Sequence, residues 1–126
     1  MNPHVLVVSR DPMLLKTRQL ILGAFFEVQG AGRIREVESL LSRFRFDLII
    51  LCYTLSASEC QQVEDLIADR TPRPKVLLLN PAGFPPEESF LKRAVVVSEA
   101  GPYRLLRKTA ELLGVDIKAK TSLVGV

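Results

Sequence analysis

The chain has 126 residues, 48% of them hydrophobic and 25% charged, a size and balance that fit one packed domain and exclude a disordered chain or two independent cores. Its net charge of +3 comes from basic residues interspersed with acids, aromatic residues make up 6% and tryptophan is absent, so neither a basic nucleic-acid footprint nor a set of stacking platforms is expected. No apolar run reaches the ~20 residues of a spanning helix, and Cys52, Cys60 and the single His4 offer neither a disulfide framework nor zinc-ligand spacing. A cytoplasmic domain is expected, with no metal, no cofactor, no membrane contact and no nucleic-acid partner.

Taken in chain order, the first apolar run, residues 4–8, is rich in β-branched residues and reads as a strand. Asp11 and Pro12 then fit the N-cap and first turn of a helix. On that helix Met13, Leu14, Thr17, Leu20, Ile21 and Ala24 share a face, which predicts that this face is buried. A second strand is predicted at residues 26–29. It is followed by a helix whose stripe Ile34, Val37, Leu41 and Phe44 opposes Arg35, Glu36, Glu38 and Arg43.

The third strand, residues 48–52, is apolar throughout, as expected of a central parallel strand covered on both faces. Val63, Leu66 and Ile67 form the next helical face, with Ser58 and Glu59 at its start. A fourth strand at residues 76–79 leads into residues 81–93, where three prolines and a glycine leave space for only a short or irregular fourth helix near residues 87–92. The fifth strand is placed at residues 94–97. Gly101 and Pro102 open the last helix, Leu106, Ala110 and Leu113 face inward, and Gly114 closes it. The domain is thus expected to span residues 1–114, with 115–126 as a C-terminal tail.

Five alternating strand and helix units joined by right-handed crossovers point to an α/β fold: a flavodoxin-like, three-layer α/β/α domain with a five-stranded parallel sheet in the order 2-1-3-4-5. In that order the topological switch point lies between the first and third strands, and ligands sit at their C-terminal ends, here Ser9, Arg10 and Cys52.

The segments VLVVSRDPMLL, FDLIILCYTLS, KVLLLNPAG and PYRLLRKTAELLG resemble, in order and spacing, the landmarks of response-regulator receiver (CheY-like) domains. The resemblance extends to about Gly114. It implies a domain of two-component signal transduction that accepts a phosphoryl group on an aspartate with Mg²⁺ and repositions its last helices. Position by position, the chemistry is missing. Ser9 and Arg10 stand where the family has an acidic pair, Cys52 where it has the phospho-accepting aspartate, Asn80 where it has Ser or Thr, and Ser98, or Glu99 after a one-residue slip, where it has lysine. Val95, Val96 and Val97 supply no aromatic switch residue. A hydroxyl and a guanidinium do not hold a hard cation, and a thiol cannot form an acyl phosphate. The chain therefore reads as a pseudo-receiver, a phosphorylation-independent signalling or scaffold domain without enzymatic activity.

Two local readings accompany this one. Arg10 is a candidate to pair with Asp11, Glu99 or a backbone carbonyl and fix one conformation, against an ordinary exposed loop arginine. Cys52 is a candidate redox thiol, with Arg10 as the activating cation and Cys60 as the resolving partner, against a small buried residue that merely packs. A redox or small-anion sensor using Cys52 or Arg10 with Asn80 is thus the alternative function. Tyr103, Arg104, Arg107, Lys108 and Glu111 on the last helix form the candidate interaction face, for a protein partner or for a second copy in a homodimer.

Overall fold

The structure is a computed structural model that describes residues 3–80, 94–98 and 102–116. Its elements follow in the order β1 (His4–Val8), α1 (Pro12–Gly23), β2 (Glu27–Ala31), α2 (Ile34–Arg43), β3 (Leu48–Leu51), α3 (Ala57–Ile67), β4 (Lys75–Asn80), β5 (Ala94–Ser98) and α4 (Pro102–Leu113). The sheet is parallel with the order β2-β1-β3-β4-β5, the predicted flavodoxin-like arrangement. Val5 pairs with Leu48, Leu48 with Lys75, and Asn80 with Ser98. Strand ends differ by one or two residues: β2 begins at Glu27 and runs to Ala31, and β3 stops at Leu51, so that Cys52 begins the loop. The predicted short helix at residues 87–92 lies outside the described residues.

The uniform apolarity of β1 and β3 has a structural cause, since alternate residues enter two separate halves of the core. Leu6, Val8, Ile49 and Leu51 join Val37, Leu41, Cys60, Val63 and Ile67 beneath α2 and α3. Val5, Val7, Leu48, Ile50 and Cys52 join Leu22, Leu105, Leu106 and Ala110 beneath α1 and α4. Nearly all are below a few percent exposed, and each large aliphatic side chain so buried contributes about 1.5–3 kcal/mol.

Local chemistry fixes the helix starts. The Asp11 carboxylate accepts hydrogen bonds from the Met13 and Leu14 amides at 2.9 and 3.3 Å, with Pro12 in the first turn. Helix α3 is capped by Ser56, two residues before the expected start at Ser58. The Ser56 hydroxyl accepts from the Glu59 amide at 3.1 Å and the Glu59 carboxylate accepts from the Ser56 amide at 3.0 Å, a reciprocal capping box. Gly114, with φ of 68°, ends α4 in the left-handed conformation that only glycine adopts cheaply. Val115 still packs on the core, and its amide reaches the Ala110 carbonyl at 2.9 Å.

One predicted face is wrong. Helix α1 buries Arg18 and Leu22 and half-buries Leu14 and Leu15, whereas Met13 and Leu20 are 72% and 69% exposed. The true inward stripe is rotated by about one residue from the Met13–Thr17–Leu20–Ala24 line. Apolar side chains occur all round PMLLKTRQLILG, so periodicity alone did not fix the phase. The phase is set by the Asp11 cap and by the need to place Leu22 over the sheet.

Candidate functional site

The C-terminal ends of β1 and β3 are adjacent, and the loops that leave them form the rim of the switch point. Ser9 is buried at 1% exposure. Its amide donates to the Ala31 carbonyl at 3.1 Å, and its hydroxyl lies 3.1 Å from the Thr54 hydroxyl and 3.3 Å from the Asp11 carbonyl. The Asp11 amide donates back to the Ser9 hydroxyl at 3.2 Å, and the Arg10 amide donates to the Thr54 hydroxyl at 3.0 Å. One proton arrangement satisfies all these contacts: Thr54 accepts from Arg10 and donates to Ser9, which donates to the Asp11 carbonyl.

Arg10 reaches neither Asp11, whose carboxylate is committed to capping α1, nor any described backbone carbonyl; Glu99 lies outside the described residues. Its guanidinium binds Glu59 on α3 instead, with Nε donating to Oε2 at 2.6 Å and a terminal nitrogen forming an ion pair with the same oxygen. The other oxygen, Oε1, accepts from the Ser56 amide. The Ser56 amide first, and then Arg10, hold the Glu59 carboxyl below its usual value of 4.5. Arg10 is 51% exposed and Glu59 14%, so the pair is partly screened by water.

Cys52 is fully buried, its amide bonded to the Val8 carbonyl at 3.0 Å. Cys60 is 2% exposed in the other half of the core. Neither thiol is in a disulfide, and burial, with a further contribution from the Glu59 charge, pushes the Cys60 thiol up to about 11. At neutral pH Cys60 is therefore a thiol, a poor nucleophile for resolving an oxidised partner. Asn80 and Ser98 close β4 and β5 as a register pair at the same edge of the sheet. On α4, Tyr103 is 64% exposed with the Arg107 guanidinium 5.8 Å from its ring centre, Arg104 is exposed, and Lys108 pairs with Glu111 at 3.3 Å.

The residues present do not fit Mg²⁺. A hard divalent ion needs converging carboxylate oxygens, whereas the described rim presents hydroxyls, a thiol and a guanidinium, and of its described acids Asp11 faces helix amides and Glu59 is bound by Arg10 and Ser56. Among the described residues no three His, Cys, Asp or Glu side chains are grouped to hold a metal ion. No described helix is long and apolar enough to cross a membrane.

Thr54 and Glu59 are the two site residues that the sequence analysis missed. The Ser56-x-x-Glu59 spacing was a legible capping-box signal. Nothing local marked the second carboxylate oxygen as the partner of an arginine 49 residues away.

Comparison with known proteins places the fold. No protein-family model and no curated protein matches the sequence. Solved structures do. The chemotaxis protein CheY4 of Vibrio cholerae superposes with a TM-score of 0.74 at 18% identity, over 89% of this chain and 99% of that one. A CheY-like response regulator receiver domain protein of Methanospirillum hungatei gives 0.72 at 17% identity, over 89% and 94%. The signal receiver domain of an HD domain-containing protein of Pseudomonas fluorescens gives 0.71 at 17% identity, over 90% and 96%. The fold is that of response-regulator receiver domains.

Proposed function

We propose that this domain takes part in response-regulator signalling through protein contact and without accepting a phosphoryl group. The observation that supports this reading most directly is the pairing of Arg10 with Glu59, together with the burial of Cys52 at the end of β3. A cation is already bound covalently where the receiver resemblance calls for a metal, and the acceptor position carries a thiol instead of a carboxylate. The loops after β1 and β3, joined through Thr54, are held in one arrangement by the chain's own hydrogen bonds. Communication then falls to surfaces, with Tyr103, Arg104, Arg107, Lys108 and Glu111 of α4 as the face offered to a protein partner or a second copy.

The test is incubation with acetyl phosphate and Mg²⁺, followed by intact mass and peptide mapping. An unmodified protein is expected. A stable phosphoryl adduct on the rim formed by Ser9, Cys52 and Thr54 would overturn the proposal.

A further inference from the structure

The opposite end of the sheet carries a second feature, unrelated to the rim. A groove of about 1000 Å³ runs beneath the first residues of the strands, passing Glu27 of β2, His4 of β1, Asp47 just before β3, and Lys75 of β4. Three strand spacings separate β2 from β4, so the groove is about 14 Å long. An adjoining hollow of about 280 Å³ shares Phe44, Arg45, Phe46 and Pro72 with it and adds Arg70.

Its composition is uneven. The floor is apolar, built from Phe44, Phe46, Pro72 and Leu113, while Arg43, Arg45, Arg73 and Lys75 are spread along it. Of the lining acids, Asp47 is committed, because its carboxylate accepts the His4 amide at 2.8 Å. Some of the cations have local duties. Lys75 donates to the Leu112 carbonyl at 2.6 Å at the C-terminal end of α4, and Arg73 pairs with Glu64. Arg43 lies over the Phe44 ring at 5.4 Å in the last turn of α2, where it also offsets the helix dipole. Arg45 is exposed and makes a single 3.2 Å bond to the Thr71 carbonyl.

Helix ends account for part of the basic character but not for His4. The imidazole is packed by Phe46 at 4.6 Å and Phe44 at 5.2 Å between ring centres. Its Nε2 is buried and has no hydrogen-bond partner among the described residues. A buried ring nitrogen without a partner is costly, and such groups are uncommon in folded proteins.

From these observations we infer that the groove binds an extended acidic peptide segment of a partner protein, with carboxylates at Arg43 and Arg45 and apolar side chains on Phe44 and Phe46. The distribution of charge selects this occupant. A small anion needs cations converging on one point, whereas here they are spaced along an apolar floor whose length matches about four residues of extended chain. A nucleic acid needs an uninterrupted basic track, which Glu27 and Asp47 break.

The test uses the full chain with a fluorescein-labelled hexapeptide of alternating glutamate and leucine, read by anisotropy and by amide chemical-shift mapping. Saturable binding that weakens with salt is expected, with shifts concentrated at Phe44, Arg45, Phe46 and Lys75. Arg45→Glu, an exposed change, is expected to weaken it about tenfold. His4→Phe, which keeps the aromatic packing and removes the unpartnered nitrogen, is expected to raise the melting temperature and to leave binding unchanged. Equal binding of a control hexapeptide with lysine in place of glutamate, shifts confined to other surfaces, or no binding at millimolar peptide would overturn the inference. So would displacement by an equal concentration of free glutamate, which would indicate a small-anion site, or by an oligonucleotide.

Discussion

Arg10 and Glu59 meet across 49 residues of chain, with Nε 2.6 Å from Oε2, and the same carboxylate caps the helix it belongs to. A side chain that would ordinarily serve only the start of α3 thus also fastens the loop after β1. Because Arg10 is half exposed, the pair itself is weak and the cap is the stronger part of Glu59's contribution. Arg10→Ala is expected to cost about 0.5 kcal/mol and to lose its effect at high salt. Glu59→Ala is expected to cost about 1–2 kcal/mol. Urea melts of both variants and the double variant measure this, and equal losses would show that the capping role is overstated.

The acid limb of stability follows from the same carboxylate. Its folded-state value lies below the usual 4.5, so the folded protein holds the charged form more favourably than the unfolded chain does. That contribution is complete above the unfolded value and disappears as pH falls through the folded one. Wild type is therefore expected to lose stability relative to Glu59→Gln below about pH 4.5, with parallel curves near neutrality. Thermal melts across pH 3 to 7 check the sign, and curves that stay parallel throughout would refute it.

Thiol reactivity should be low. With both cysteines buried and Cys60 pushed up to about 11, labelling at neutral pH is expected only on opening or unfolding of the chain. Ellman's reagent with and without denaturant gives the comparison. Rapid native labelling, or a peroxide-induced link between Cys52 and Cys60, would restore the redox alternative.

A carboxylate introduced at the end of β3 is not expected to create a phosphoryl-accepting site. Cys52→Asp puts a charge at a fully buried position in the apolar core beneath α1 and α4, and a loss of about 2–4 kcal/mol is expected. Addition of Mg²⁺ should recover little of it while Arg10 remains. Denaturant titrations with and without the ion measure the recovery, and full rescue would contradict the reading of the rim.

Helix α1 supplies a test of the core. Leu20→Glu lies on the exposed line and is expected to change stability by less than about 0.5 kcal/mol, whereas Leu22→Ala removes a fully buried side chain and is expected to cost about 3 kcal/mol. The reverse order would mean that the helix packs on its other face.

These contrasts show what could be read before the structure was known. The strands were legible because LIIL and its neighbours are buried on both faces and leave a continuous apolar run. Helix α2 was legible because its charges are segregated from Val37 and Leu41. Helix α1 was not, since its exposed face mixes Met13 and Leu20 with Lys16 and Thr17 while its buried face includes Arg18. At the site, Ser9, Arg10 and Cys52 were located by topology alone. Their partners were missed because both relations are long-range with no local signature: Thr54 approaches from the loop after β3, and Glu59 through the packing of α3.

The hydroxyl pair of Ser9 and Thr54, 3.1 Å apart, bears on how the rim could be altered. The Thr54 hydroxyl satisfies the Arg10 amide of the neighbouring loop and the Ser9 hydroxyl satisfies Asp11 of its own, so a single replacement of either strands a donor or acceptor that the other had matched. Building a metal-binding rim here would require both loops to change together, and each single replacement is expected to be less stable than the wild type. The two threads of the rim are in this sense interlocked.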